Sequence, residues 1–312
     1  MNFEKFKDAF QKVPIEHFQH SAAKNPIVSV LVQTYNHEKY IGKCLDSILN
    51  QKTNFDFEIL VGEDCSSDNT REICVEYAKK FPEKIRLFLH KKNNKIKVNG
   101  ITTGNFNAFY NFYNAKGKYI AFCEGDDYWV DPLKLQKQID FLLYEKEYVL
   151  CYHDYHFINE YSSRLDDAKF PSKHLFDISS RDMREVNYHP LLSTSCFRKE
   201  FKTLPPQIMN IINVDTFIIS LLGSYGSGKF ISHIEPSYYR IHNGGVWSKE
   251  KKSIKFLNKI TTYKKLKEYY SSIGDLKTSS TFLAKFNGYR KMALVSYLKE
   301  GKILSILNLI KS

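Results

Sequence analysis

The chain has 312 residues, 46 of them Lys or Arg and 34 Asp or Glu, for a formal net charge of +12, with 43% hydrophobic and 15% aromatic residues. Such an apolar content excludes an intrinsically disordered body. Residues 249–311 carry 15 basic and four acidic side chains, a net of +11, which leaves residues 1–248 at +1 and argues against a uniformly basic nucleic-acid coat.

Residues 1–25 read as a polar, helical lead-in without the apolar core of a secretory signal. No stretch reaches the roughly 18 apolar residues that cross a bilayer. We therefore expect a cytoplasmic protein, or one attached to a membrane only at its surface. After Pro26, the run Ile27 to Val32 is too short for a helix and too apolar for an exposed strand, so it reads as a buried parallel strand. Tyr40, Ile41, Cys44, Leu45 and Ile48 then recur at helical spacing, and Phe57 to Val61 returns to strand composition. The turn Glu63 to Thr70 is dense in capping residues, with Glu72 placed as a capping-box partner of Asn69 for a second helix. A third strand is expected at Ile85–Leu89, a surface loop at 90–104, and a helix at Asn105–Ala115 that ends on Gly117 as a left-handed C-cap.

Tyr119 to Cys123 is the next buried strand, and it runs directly into Glu124-Gly125-Asp126-Asp127. Asp131 and Pro132 open a helix with Leu135, Ile139, Leu142 and Leu143 on one face. The alternation argues a mostly parallel sheet with helices on both faces. Shorter strands follow residue 148, with a helix at 214–222. The six cysteines lie far apart, without a CxxC pair, and read as reduced core thiols. In His153-Asp154-Tyr155-His156, strand alternation separates the two histidines, which argues against a metal site there.

Ligands of open α/β sheets bind beyond the carboxyl ends of the strands. The residues there are Gln33-Thr34-Tyr35-Asn36, Gly62-Glu63-Asp64 and Glu124 to Asp127. Neither GxGxxG nor a P-loop is present. Several carboxylates converging on one edge call for a hard divalent cation, Mg²⁺ or Mn²⁺, held together with substrate phosphates.

The blocks Val28 to Asn36, Ser47 to Gln51, Glu63 to Thr70, and Gly117 to Ala121 leading into Gly125-Asp126-Asp127-Tyr128-Trp129 resemble, in order and spacing, those of inverting family 2 glycosyltransferases with the GT-A fold. Gln33 stands where that family usually has proline, and Glu63-Asp64-Cys65 replaces the commoner Asp-Asp-Gly. The resemblance implies a GT-A domain over 26–248, with a nucleotide-sugar half (26–147) and an acceptor half (148–248), followed by a basic helical extension over 249–312. It further implies that Thr34, Tyr35, Asn36, Glu63, Asp64, Asp126 and Arg240 bind a nucleotide-diphosphate sugar, most simply a UDP-sugar, with Tyr35 stacked on the base. Asp127 and His242 would hold the metal (Mn²⁺ or Mg²⁺), and Asp215 would be the base that deprotonates the acceptor hydroxyl. Trp129 is either an acceptor platform or a core wall.

The acceptor implied is a glycan or lipid-linked glycan of a surface polysaccharide. The basic extension has the texture of an amphipathic helix on an anionic membrane surface at the inner face of the cell membrane, and adds nothing to the chemistry on this reading. A solvated helical face is the plainer alternative. Other classes consistent with the sequence are a non-catalytic nucleotide-sugar or glycan-binding protein on the same fold and a nucleic-acid binder. The near-neutral body and the carboxylate cluster weigh against the latter, so no nucleic-acid partner is expected.

Overall fold

The computed structural model describes residues 1–170, 173–242 and 252–299. Helix α1 (Phe3–Phe10), capped by the Asn2 side chain accepting from the Lys5 amide, precedes a two-residue strand β1 (Glu16–His17). There follow β2 (Val28–Thr34), α2 (Ile41–Leu49), β3 (Phe57–Glu63), α3 (Thr70–Lys80), β4 (Ile85–Leu89), a hairpin of β5 (Ile96–Val98) and β6 (Ile101–Thr103), α4 (Asn105–Asn114), β7 (Tyr119–Phe122) and α5 (Lys134–Tyr144). The second half holds β8 (Tyr148–Tyr152), β9 (Tyr155–Ile158), α6 (Ser180–Glu185), β10 (Cys196–Arg198), α7 (Val214–Leu222), β11 (Ser227–Phe230) and β12 (Ser237–Arg240). Two long helices, α8 (Lys252–Ser272) and α9 (Leu276–Lys299), come last among the described residues.

The main sheet has eight strands in the order β1-β4-β3-β2-β7-β10-β8-β11. Strands β4, β3, β2 and β7 are parallel, β10 runs antiparallel between β7 and β8, and β11 is parallel to β8. Strand alternation sorts the side chains. Val28, Val30, Val32, Ile59 and Val61 pack with Ile41, Leu45, Ile48 and Leu135 of α2 and α5. Leu31, Leu60, Ile120 and Phe122 pack with Phe6, Phe106, Phe109 and Phe217 of α1, α4 and α7. The predicted α/β fold with helices on both faces is therefore present. Because β2, β3 and β7 are parallel neighbours, the segments after Thr34, Glu63 and Phe122 emerge at one edge of the sheet. A bridge between Tyr128 and Tyr238 brings β12 to that edge as well.

Local expectations fail where long-range contacts decide. Asn69 precedes α3 without capping it; Asp68 accepts from the Thr70 amide at 3.0 Å, while the Asn69 amide donates to Glu38. Gly117 is not left-handed: its place is forced by packing, since a Cβ there would lie 2.4 Å from the Ser29 amide nitrogen. Its N–H donates to Ser29 Oγ at 2.8 Å, and Ser29 donates to Glu58, which pairs with Arg86 in a buried chain. Helix α5 starts three residues after Asp131, whose carboxylate accepts from the Leu133 amide, and Leu143 lies exposed. The loop expected at 90–104 contains the β5–β6 hairpin.

Helices α8 and α9 of the basic extension are packed on the body. Tyr263, Leu266, Tyr270 and Phe282 are buried in the same core as Phe217, and the Tyr270 hydroxyl lies 2.9 Å from Ser220 Oγ of α7. The apolar segment 303–310 falls outside the described residues. Truncating Leu266, which is fully buried, removes core contacts shared by α8 and the body. Leu266→Ala should lower stability by about 2–4 kcal/mol in a single cooperative denaturant transition. A separate early transition, with the main one unmoved, would show that the two helices fold apart from the sheet.

Candidate active site

At the end of β2, Tyr35 is 51% exposed, a large ring left open to solvent. Lys95 stands 5.4 Å from its centroid, pairs with Asp64 Oδ2 at 2.5 Å and donates to the Asp64 carbonyl at 3.0 Å. Asp64 is buried, and its Oδ1 has no hydrogen-bond partner among the described residues. Burial pushes its carboxyl up to about 6, against the opposing pull of Lys95. A buried acceptor without a partner beside an exposed ring is an arrangement that a bound molecule would complete.

Other residues expected to touch the donor are committed to scaffolding. Asn36 takes a left-handed conformation (φ 55°) and its side chain accepts from the Ser67 amide at 2.9 Å. Glu63 is wholly buried, accepts from the Ser66 amide at 2.6 Å and is paired with Arg71. Thr34 is buried, with its hydroxyl 3.3 Å from His37 Nδ1.

The loop after β7 carries the acidic pair. Asp126 Oδ2 lies 3.0 Å from His242 Nε2 and 4.0 Å from His37 Nε2. These three residues offer ligand atoms within 4.8 Å of one another, and no other group of His, Cys, Asp or Glu among the described residues does so. Burial alone would raise the Asp126 carboxyl, but the His242 hydrogen bond and the nearby His37 outweigh it and hold it low. Asp127 points elsewhere: its Oδ1 accepts from the Arg240 amide at 2.9 Å, and burial together with Asp126 raises its carboxyl. The side chain placed beside His242 is therefore Asp126, not the Asp127 that the resemblance implied as metal ligand. Sequence reasoning missed His37; its only signal is that it follows the Tyr35-Asn36 turn.

Arg240 does not face the site's open side. It is 4% exposed, donating to the carbonyls of Asp126 and Asn159 at 2.9 and 2.8 Å, with its guanidinium 4.3 Å from the Tyr40 ring. Trp129 is a core wall rather than an acceptor platform. It is 3% exposed, donates from Nε1 to the Ser193 carbonyl and lies under Lys134.

Asp127, Glu124 and Asp215 line a common cleft of about 490 Å³, together with Gln33, His189, Tyr239 and Lys259. Asp215 sits in the first turn of α7, 3.3 Å from His189 Nε2. Burial pushes Glu124 up to about 8, with Asp126 and Asp215 adding to the effect, so it holds its proton at neutral pH. The Gln33 amide is also buried in this cleft without a polar partner among the described residues. Lys259, from the basic extension, reaches the same cleft and lies 3.4 Å from the Thr216 hydroxyl. Contrary to the sequence reading, the extension thus borders the candidate site.

Sheet order and site define a GT-A-type α/β protein with its polar residues gathered beyond the strand ends. The model of glycosyl transferase family 2 matches residues 29–201, more than half of the chain, and the chain belongs to that family. The uncharacterized protein Rv1520 of Mycobacterium tuberculosis is 37% identical over 145 residues, 46% of this chain and 39% of that one. The match thus spans about two fifths of such a relative's length. TuaG of Bacillus subtilis, a putative teichuronic acid biosynthesis glycosyltransferase, is 30% identical over 141 residues, covering 45% of this chain and 51% of that protein. Staphylococcus aureus TarS 1–349 in complex with UDP-GlcNAc superposes with a TM-score of 0.52 at 16% identity, covering 91% of this chain and 90% of that one, a likeness of fold.

Proposed function

We propose that this protein is an inverting glycosyltransferase that moves a sugar from a nucleotide-diphosphate donor, a UDP-sugar, to a hydroxyl of a glycan or lipid-linked glycan in surface-polysaccharide synthesis. The observation that carries it is the Asp126–His37–His242 cluster beside the exposed Tyr35 and the buried, unsatisfied Asp64 at one sheet edge. TarS crystallised with UDP-GlcNAc supports the donor, and the teichuronic acid biosynthesis ascribed to TuaG supports the acceptor class.

On this reading Tyr35 stacks on uracil, and the free oxygen of Asp64 accepts from the base edge. Two imidazoles and a carboxylate admit a divalent transition ion more readily than Mg²⁺, so of the two ions that the resemblance implies, Mn²⁺ is the one proposed for His37, Asp126 and His242. Such an ion supplies Lewis-acid neutralisation of charge on the leaving diphosphate. The acceptor oxygen attacks the anomeric carbon, its proton passes to Asp215, and the bond to the diphosphate oxygen breaks with inversion. His189 Nε2 stands 3.3 Å from the Asp215 carboxylate, and the protonated Glu124 can donate a hydrogen bond within the cleft.

We assign 26–147 to donor binding and 148–248 to the acceptor side. The protein works in the cytoplasm, and residues 249–312 seat it on the anionic inner face of the membrane. Among the described residues no helix is long and apolar enough to cross a membrane. The exposed Met292, Val295 and Leu298 of α9, with Lys291 and Lys299, support surface attachment.

Three measurements test this. Mn²⁺-dependent UDP release should be lost in Asp126→Asn and His242→Ala, and should fall at least about 100-fold in Asp215→Asn with UDP binding retained; unchanged turnover in all three sinks the mechanism. Metal-free uridine carries no phosphate to titrate, and its affinity should rise with pH through about 6 as Asp64 ionises and becomes a full acceptor. Asp64→Asn should weaken binding and abolish that pH dependence, whereas a persisting dependence places the titrating group elsewhere. The 312-residue chain should sediment with vesicles containing phosphatidylglycerol at low salt and be released at high salt; no sedimentation removes the membrane role.

A further inference from the structure

Gln33, the penultimate residue of β2, places in the cleft a polar group that the mechanism above does not use. Strand alternation sends its side chain to the same side of the sheet as Leu31, toward α4, while Thr34 turns the other way to His37. Its main chain is fixed, since its carbonyl accepts from the Gly125 amide of the acidic loop at 2.9 Å. Nε2 and Oε1 are both buried, and neither has a hydrogen-bond partner among the described residues. An amide carries two donors and an acceptor, and leaving them unmade away from water is costly. An apolar side chain of similar length would fill the same space without that cost. Gln33 also stands where the family usually has proline, which would offer neither atom. Of the residues that line the cleft, Gln33, Phe109, Phe122, Glu124 and Asp127 belong to 26–147, the half assigned to the donor. The two carboxyl groups on that side disfavour an anion, and apolar rings around a few polar groups suit a compact neutral ligand such as a sugar ring. An amide, with its oxygen and nitrogen side by side, matches two hydroxyls on neighbouring carbons, one donating to Oε1 and the other accepting from Nε2.

We propose that Gln33 selects the transferred sugar, its amide taking two adjacent hydroxyls of the donor hexose while the C–H face of the ring lies toward Phe109 and Phe122. The inference rests on the reading of the chain as a UDP-sugar transferase, and deepens it by naming what the donor half reads on the sugar. A site that presents a buried hydrogen-bonding group rejects an analogue unable to pair with it more strongly than an apolar pocket rejects a change of size. A sugar whose paired hydroxyl is inverted or replaced leaves the amide as it is in the free protein, buried and unpaired.

The test titrates the 312-residue chain calorimetrically, with Mn²⁺ and without acceptor, using UDP-glucose, UDP-galactose and their 2-acetamido counterparts UDP-GlcNAc and UDP-GalNAc. The four donors share the nucleotide and differ only at C2 and C4. The tightest and weakest should differ by about tenfold or more, as expected when one or two hydrogen bonds to a buried amide are lost. A split by the acetamido group places the recognised pair at C2 and C3, and a split by the epimer places it at C3 and C4. In Gln33→Met and Gln33→Leu the four affinities should fall within about threefold of one another, because neither side chain can pair with a hydroxyl. The thermal midpoint of Gln33→Met should equal or exceed that of the unaltered chain, since no protein partner of the amide is lost. A fall of several degrees shows that the protein itself already satisfies the amide, and overturns the proposal. So does a spread below about tenfold in the unaltered chain, or the same spread and order in Gln33→Met. UDP alone separates the two readings: if it does not bind the unaltered chain, the donor reading falls, whereas UDP binding without discrimination among the four sugars defeats only the role of Gln33.

Discussion

The site hangs on one buried cation. Arg240 ends β12 and, through its own amide, its Nε and its Nη1, ties Asp127, the Asp126 carbonyl and the Asn159 carbonyl into one rigid unit, with the guanidinium packed on Tyr40. The two carbonyl bonds leave different nitrogens of one planar, permanently charged fork, a fixed geometry that a lysine ammonium does not supply. Two consequences follow from its position. The acidic loop, which would otherwise place carboxylates side by side in a desolvated corner, has a fixed positive charge within it. His242, two residues further along, is delivered to Asp126 rather than to solvent.

Three neighbouring carboxyl groups on this loop nevertheless differ. Asp126 is held low by two imidazoles, whereas Asp127 and Glu124 are raised by burial first and by their acidic neighbours second. Groups in such contact titrate as a set, and the useful statement is which member keeps the charge. Here the charge rests on the residue facing the histidines. The two residues that are pushed up, Glu124 and Asp127, line the cleft. A carboxylate corner facing two imidazoles and a cleft wall of raised carboxyls are thereby built from one four-residue turn, Glu124 to Asp127.

Much of this was legible in the sequence because it is encoded locally. The apolar run before Gln33, the helical spacing from Tyr40 to Ile48 and the acidic turn after Phe122 each declare their element within a few residues, and parallel topology then brings the strand ends together. What could not be read depends on partners far away in the chain. Gly117 looks like a helix terminator until the Ser29 amide is seen beneath it. Trp129 stands next to the acidic pair, yet the Ser193 carbonyl draws its indole into the core. Arg240 carries the charge of a phosphate ligand, but every hydrogen bond described for it goes to protein. His37, His189 and Lys259 have no motif of their own, and only the folded chain puts them beside Asp126 and Asp215.

The split in charge between residues 1–248 and 249–311 invites a division into a working body and a basic appendage, and packing does not follow that line. Tyr270 donates to the Ser220 carbonyl and shares the core with Phe217, so α8 is anchored to the back of α7, the helix whose first turn carries Asp215. An anchor there fixes the rotation of α8 about its axis. With that rotation set, Lys259, eleven residues or about three turns before Tyr270, has to lie on the body side of the helix, at the Thr216 hydroxyl next to Asp215. The lysines of the extension are therefore not equivalent. Those on the outer face of the helix pair are available to a membrane or to water, while Lys259 is held by the apolar packing behind it in the cleft where the proposed base sits.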